Sequence, residues 1–554
     1  MNNKKYTIPY FLQESVEKFA DETSVVFVGE ENYTYRQLGE DVGRVARLLK
    51  GLGITRGDKV AVLSNNMPNW GVAFLAISQL GATAVPVLPD FHANEIKSII
   101  EHSESKILFV SEGLYKSLNS EIRDLLQHLI LLDNFALIPE NAVYEDLSKL
   151  KGSLTGEVHV FDPADVDEED LASIIYTSGT TGSSKGVMLT HKNLVWMVER
   201  CYELQPVDTT DRFLSVLPLS HTFENTLGFL FPVKFGASVY YMKKPPVASV
   251  LLPALSAVKP TIMLVVPLII EKVFKTKILP KFQKGAVMRF LYSVPPVRKI
   301  LHRIASRKLY ETFGGKLKFF GIGGAKLDRN VERFLLEGKF PYAIGYGLTE
   351  TSPLLAGAVG KNVRLGSTGP AINGVQMRLG DADPETGEGE VQVKGPNVMK
   401  GYYKAPELTK EVFTEDGWFK TGDRGSFDND NFLSIKGRIK TMIVGASGEN
   451  IYPEEIETVI NKMRYVLESL VLEKKGQLVA MIHLNMEEIE QNFINFKSEA
   501  RQLIYHKTDE ILKEIHKKVN SELNKFSKLQ KVIHQPTPFE KTPTKKIKRF
   551  LYLH

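Results

Sequence analysis

The sequence predicts an α/β protein, with a large N-terminal domain of parallel-type sheets and helices, a β-rich subdomain, and a small α+β C-terminal domain. Three observations carry this. Helical and strand patterns alternate from Tyr33 to Pro89, the texture turns to short β-like stretches between Thr368 and Ile435, and beyond Gly437 a separate segment has a long helical pattern of its own.

The alternation begins with the amphipathic run YRQLGEDVGRVARLLKGLG, then the apolar strand KVAVLS, the helical run NWGVAFLAISQLG and the strand ATAVPVLP. Such alternation argues for parallel strands covered by helices. The rhythm returns at Ile107 to Val110, Ser238 to Met242, Thr261 to Val266 and Lys316 to Ile322, so one large domain is expected over residues 1–436. In the β-rich part, VQMRLGDADPETGEGEVQVKG reads as a hairpin whose turn is DADPETGEGE. In the last segment Ile504, Ile511, Ile515, Val519 and Leu523 share one helical face. A chain of 554 residues exceeds what one hydrophobic core serves, so more than one domain is expected.

The composition, 43% hydrophobic and 24% charged, is that of a globular protein, and a net charge of +5 does not by itself suggest nucleic acid as a partner. A single cysteine, Cys201, excludes an internal disulfide and offers no paired metal-ligand spacing; a reducing cytoplasm fits it. The start, MNNKKYTIPYFLQ, lacks the apolar run of a signal peptide, and no stretch has the roughly 18 uninterrupted apolar residues of a membrane span. Residues 272–308 hold eleven Lys or Arg and no Asp or Glu, interleaved with Phe274, Ile278, Leu279, Phe282, Phe290, Leu291, Ile300 and Leu301. Three readings stay open for them: peripheral contact with a membrane, a solvated basic face on packed helices, or an anionic-ligand site.

The stretch most informative about chemistry is YTSGTTGSSKGVMLTHKNL, Tyr176 to Leu194, which follows the apolar run Leu171 to Ile175 and precedes a helical pattern. A strand, a Gly/Ser/Thr loop and a helix make a phosphate cradle. Gly179 and Gly182 let backbone N–H groups approach, Thr177, Ser178, Thr180 and Thr181 bring hydroxyls, and Lys185 adds charge. It is not a Walker A loop, because Ser184 precedes Lys185 and Gly186 follows it.

With this loop the chain resembles the adenylate-forming (AMP-binding) superfamily of acyl-CoA synthetases, peptide adenylation domains and luciferases. The resemblance continues through GIGGAKL (Gly321 to Leu327), GYGLTETSP (Gly345 to Pro353), DGWFKTGDRG (Asp416 to Gly425), GRIKTMIVGASGENIYPEEIE (Gly437 to Glu457) and FEKTPTKKIKR (Phe539 to Arg549). The forms PLSHTFE (Pro218 to Glu224) and TPTKKIKR look like the acyl-CoA synthetase branch, most of all a bacterial-type long-chain fatty acid–CoA ligase.

The resemblance implies ATP, Mg²⁺ and coenzyme A, and a role for each matched residue. Tyr346 would stack on adenine with Gly347 beside it, Gly324 and Ala325 would line the adenine and acyl walls, Asp423 would hold the ribose hydroxyls, and Arg438 would bind ribose or phosphate nearby. Thr349 would donate to the α-phosphate, Glu350 would hold Mg²⁺, and Lys546 would neutralise charge as pyrophosphate leaves. His221 would gate the acyl carboxylate rather than act as a base. Lys440, where many relatives carry Asp, would be the hinge in 437–440 about which a mobile domain, 441–554, swings; Gly445, Ser447, Gly448 and Glu449 would then meet the pantetheine arm. Lys545 stands where most relatives have Gly.

Read without the family, Thr349–Glu350 is a helix cap, Gly324–Ala325 a tight turn, Asp423 and Arg438 solvated surface, and His221 a structural hydrogen-bonder. Cys201 lies outside every motif and reads as a buried small residue, so no covalent nucleophile is expected. The expected reaction joins a fatty acid, through its acyl-AMP, to CoA. The alternatives are a medium-chain or aryl acid–CoA ligase, a ligase charging an acyl carrier protein, a luciferase-like oxygenase and an inactive lipid-binding homologue. No carrier module follows His554, which weighs against a peptide-synthetase module. Chain length and oligomeric state stay open.

Overall fold

The structure, a computed structural model, describes residues 5–152, 154, 165–178, 184–444, 450–474, 476–493, 500–523, 527–542 and 547–553. Among them the strands form two large sheets and smaller ones that follow. An eight-stranded sheet runs Gly401–Tyr402, Ser184–Thr190, Leu171–Ser178, Thr83–Val87, Lys59–Leu63, Ile107–Val110, His128–Leu131, Ala136–Ile138. A seven-stranded sheet runs Val25–Phe27, Ser238–Tyr241, Arg212–Leu214, Ile262–Val265, Phe319–Ile322, Tyr342–Gly347, Leu354–Ala358, with only the last pair antiparallel. Every strand read from the βα rhythm is present, displaced by a few residues at most.

The helices between them follow from local chemistry. Helix Tyr35–Gly51 opens on a reciprocal capping box, Thr34 with Gln37, and buries Leu38, Val42, Val45, Ala46 and Leu49 at helical spacing. Helix Pro68–Gln79 is apolar on nearly all sides and therefore lies inside. Its Trp70 stacks on Phe74 at 5.4 Å, and Phe229 packs edge-on against both rings. Gly71 lets that ring in, since a Cβ there would lie 2.7 Å from Phe229. Cys201 is buried in the same core, and burial pushes its thiol well up, so it is a packed thiol.

Strands Gln376–Gly380, Gly389–Lys394, Phe419–Phe427 and Leu433–Arg438 make a four-stranded antiparallel sheet, the first two joined through DADPETGEGE as a hairpin. Strands Val466–Lys474, Gln477–Leu484 and Lys531–His534 form a further sheet. Helix Ala500–Glu522 buries Ile511, Ile515 and Val519 in a separate core with Ile456, Ile460 and Ala480. This unit touches the rest through Lys275 Nζ to the Asn461 carbonyl at 2.9 Å, the Tyr452 hydroxyl to Glu388 at 3.0 Å, and Lys326 with Glu455 at 3.3 Å. No described helix is long and apolar enough to cross a membrane.

Candidate active site

One cleft of about 3620 Å³ is lined by residues of both large sheets, the four-stranded sheet and the C-terminal unit. Thr177, Lys185, His221, Gly324, Ala325, Tyr346, Gly347, Thr349, Glu350, Asp423, Arg438 and Lys440 all border it. Segments far apart in sequence thus converge on one space.

The Gly/Ser/Thr loop corrects one expectation. The chain does not pass from it into a helix: residues 184–190 return as a strand antiparallel to Leu171–Ser178, with Thr177 opposite Lys185 and Ser178 opposite Ser184. The reason lies in KGVMLT, where Val187 and Leu189 are buried and Met188 lies between, the period of a strand. Helix His191–Leu204 starts only after Thr190, which caps it with Asn193, so a strand stands between the loop and that helix N-terminus. Gly179, Thr180, Thr181 and Gly182 lie outside the described residues, as do Gly445, Ser447, Gly448, Glu449 and Lys546.

Lys185 stands on that returning strand with its Nζ 5.1 Å from the centre of the Tyr402 ring. Its pKa is lowered first by burial and then by the nearby charge of Lys440, an effect that Glu350 and Glu411 oppose. Tyr402 is held there because Gly401–Tyr402 pairs with Val187 and Met188. Its hydroxyl donates to Glu350 Oε1 at 2.9 Å. Lys185, Tyr402 and Glu350 therefore form one cation–ring–carboxylate line, which the sequence reading missed. The only signal was the pair of tyrosines in GYYKAPE.

Glu350 sits in a short turn, Thr349–Thr351, that closes strand Tyr342–Gly347. Gly347 makes the turn sterically feasible, because a Cβ there would come 1.7 Å from the Pro353 carbonyl oxygen. Asn397 clamps the turn by donating from Nδ2 to the carbonyls of Thr351 and Leu354, and Met399 N–H donates to the Glu350 carbonyl at 2.8 Å. No group of three or more His, Cys, Asp or Glu is set to hold an ion among the described residues. A carboxylate such as Glu350 beside a lysine fits Mg²⁺ that arrives with phosphates, since this ion keeps one or two carboxylates and takes its other oxygens from substrate and water.

Across the cleft, Asp423 faces Arg438 on the neighbouring strand and forms an ion pair with it, Oδ1 to Nε at 2.9 Å. The buried Tyr346 hydroxyl donates to Oδ2 at 2.8 Å, and its pKa is driven well up by burial and then by Asp423.

His221 lies just before the helical turn Phe223–Leu230. Three residues on, Glu224 is buried and accepts from Ser215 Oγ at 2.6 Å. Burial raises its pKa to about 8. The stretches flanking Lys546 also reach the cleft: Lys541 bridges to Ile547, and Arg549 bonds Glu457 Oε2 at 2.5 Å and the Val471 carbonyl at 3.2 Å.

The family model for AMP-binding enzymes matches residues 12–403, and the chain belongs to that family. It is 28% identical over 548 residues to a long-chain fatty acid–CoA ligase of Mycobacterium bovis, covering 93% of this chain and 89% of that one. It is also 28% identical over 571 residues to a chloroplastic long-chain fatty acid–acyl-carrier-protein ligase of Arabidopsis thaliana, covering 87% and 77%. Among solved structures, the ATP-bound MatB of Rhodopseudomonas palustris aligns with a TM-score of 0.75 at 24% identity over 98% of both chains. The o-succinylbenzoate CoA synthetase of Bacillus subtilis, with its acyl-adenylate intermediate, aligns at 0.75 and 22% identity over 98% and 97%. These likenesses establish the fold.

Proposed function

We propose that the protein is an ATP-dependent acid–thiol ligase that activates a long-chain fatty acid as its acyl-AMP and then transfers the acyl group to coenzyme A. The observation that carries this is the convergence on one cleft of a cationic wall, Lys185 with Lys440, a carboxylate in a fixed turn, Glu350, and a second carboxylate, Asp423, held beside the Tyr346 ring. The first two suit a triphosphate, and the third suits a nucleoside whose base stacks on tyrosine.

In the first step a carboxylate oxygen attacks the α-phosphorus of ATP, a P–O bond forms, and the bond to pyrophosphate breaks. Mg²⁺, when bound, supplies charge neutralisation on the phosphate oxygens. Glu350 offers it a carboxylate, Thr349 donates to the α-phosphate, and Lys185 with Thr177, Ser178 and the loop Gly179–Gly182 holds the outer phosphates. Asp423 accepts from the ribose hydroxyls, Arg438 fixes Asp423, and Lys546 balances charge on the leaving bridging oxygen. Gly324 and Ala325 keep the ligand close to backbone, and His221 orients the acyl carboxylate. In the second step the thiolate of CoA attacks the acyl carbonyl and AMP leaves. For this the unit 441–554 turns about 437–440 at Lys440, bringing Gly445, Ser447, Gly448 and Glu449 to the pantetheine arm.

The long-chain assignment rests on PLSHTFE, TPTKKIKR and the likeness to the mycobacterial long-chain fatty acid–CoA ligase. The Arabidopsis relative favours a second acceptor, a carrier protein. A cytoplasmic location, peripheral to the inner face of the membrane through residues 272–308, belongs to the same proposal. AMP release with Mg²⁺·ATP should be measured across acetate, octanoate, palmitate, oleate and benzoate, with and without CoA. Release that needs CoA and peaks with palmitate or oleate is expected. Turnover that responds to acyl carrier protein and not to CoA would replace the acceptor, and turnover with benzoate alone would replace the acid.

A further inference from the structure

Residues 272–308 divide by packing. In the first part Phe274, Ile278 and Phe282 are buried, which settles them as core. Helix Gly285–Ser293 buries none of its side chains, and helix Pro295–Thr312 buries only His302, Ser306 and Leu309. Val287 and Phe290 are 74% and 68% exposed on the first helix, and Ile300 and Ile304 are 56% and 55% exposed on the second. Lys299 and Arg303 are exposed as well, and the pairs Lys299–Arg303, Ile300–Arg303 and Ile300–Ile304 stand at the three- and four-residue spacing of neighbours on a helix surface. Arg298 and Arg307 are engaged, with Glu337 and Glu311, whereas Lys284, Arg289, Lys299 and Arg303 make no ion pair among the described residues. The hairpin's other side is tied down: Phe282 stacks on Tyr292 at 4.9 Å, and the Tyr292 hydroxyl meets His302 Nε2 at 3.0 Å. Arg289, Tyr292 and His302 also border the cleft.

Resting on the peripheral-membrane part of the reading above, we propose that this helical hairpin is the docking element. Val287, Phe290, Ile300 and Ile304 enter the interfacial layer of an anionic bilayer while Lys284, Arg289, Lys299 and Arg303 pair with its headgroups. Apolar side chains set among free cations, with no acidic residue between 272 and 308, match an anionic lipid surface on both counts. The docking sets the cleft beside the surface where long-chain acids partition.

The full-length protein should be sedimented with phosphatidylcholine vesicles containing about 30 mol% phosphatidylserine, and with vesicles of phosphatidylcholine alone, at low and high salt. Retention on the anionic vesicles at low salt, falling with salt, is expected. The double variant K299E/R303E should bind at least about 25-fold more weakly, since each cation near such a surface contributes about fivefold. Val287→Ser with Phe290→Ser, on a helix with no buried side chain, should lower binding at both salt concentrations, with circular dichroism and thermal midpoint unchanged. Wild-type binding by both variants would overturn the hairpin as the docking element while leaving peripheral contact standing. No retention at low salt would end both, without touching CoA-dependent AMP release. Capture of acidic acyl carrier protein by this face, in place of vesicles, would make the partner a protein and overturn the proposal.

Discussion

Tyr402→Phe removes one hydroxyl and leaves the ring under Lys185 in place. That hydroxyl donates to Glu350 Oε1 at 2.9 Å, in a site that is only partly buried. A hydrogen bond to a charged group contributes about 1.5–3 kcal/mol, and partial solvent access places this one near the lower end. A loss of about 1.5–2 kcal/mol corresponds to a factor of roughly 10–30. It should fall on the step that uses Glu350, as a rise in half-saturating Mg²⁺ and a fall in acid-dependent ATP–pyrophosphate exchange. Acyl transfer to CoA from supplied acyl-AMP should change by less than about threefold, because that step has no pyrophosphate to hold. Tyr402→Ala also strips the ring from Lys185 Nζ, 5.1 Å from its centre, and should cost a further few-fold, since such contacts contribute about 0.5–1 kcal/mol when exposed. The reasoning is refuted if Tyr402→Phe keeps wild-type Mg²⁺ dependence, or if both half-reactions fall together.

Arg549→Ala unpairs Glu457, whose pKa burial already raises to about 7, and frees the end of the segment that carries Lys546. Pyrophosphate exchange should fall by about tenfold or more, with Arg549→Lys between it and wild type, while equal activity of all three would remove Arg549 from the account. Glu224 has its pKa raised from 4.5 to about 8, so the folded protein holds a proton that the unfolded chain releases. Its contribution is full below pH 4.5 and is lost as pH rises through about 8, and over that window it amounts to about 5 kcal/mol at most. Glu332, raised to about 7 by burial, acts in the same direction. Thermal midpoints should therefore drop between about pH 5 and pH 9, and Glu224→Gln should flatten that drop; an unchanged slope in the variant contradicts the assignment. Asp423→Asn should raise KM for ATP about tenfold by removing the negative charge and replacing one of the two acceptor oxygens with an amide donor, and an unchanged KM would detach Asp423 from the nucleotide.

The βα rhythm was legible because Leu38, Val42 and Leu49, or Val60 to Leu63, obey periods that each element sets alone. The loop's return as a strand was less so, since KGVMLT is short and a helix pattern follows at once. Motif residues could be found one at a time, but their partners could not. Tyr402 meets Glu350 only because Gly401–Tyr402 joins the edge of a sheet whose other strands come from the first half of the chain. Asp423 and Arg438 are closer to readable, since adjacent antiparallel strands place them opposite each other. Glu224 stood in the sequence only as the last residue of PLSHTFE, and its depth follows from the packing of Phe223–Leu230 against the core. Composition marked residues 272–308 as unusual, but not that their first apolar residues face inward and their last ones outward.

The central claim is that this cleft joins a carboxylate to the α-phosphate of ATP without a thiol. It is tested most directly by ATP–pyrophosphate exchange with palmitate and Mg²⁺ in the absence of CoA, with hydroxylamine trapping of the acyl group, for the wild type and Lys546→Ala. Palmitate-dependent exchange and a trapped acyl hydroxamate in the wild type, both lost in the variant, are expected. Absence of exchange with any carboxylic acid, or exchange unaffected by Lys546→Ala, would contradict the account.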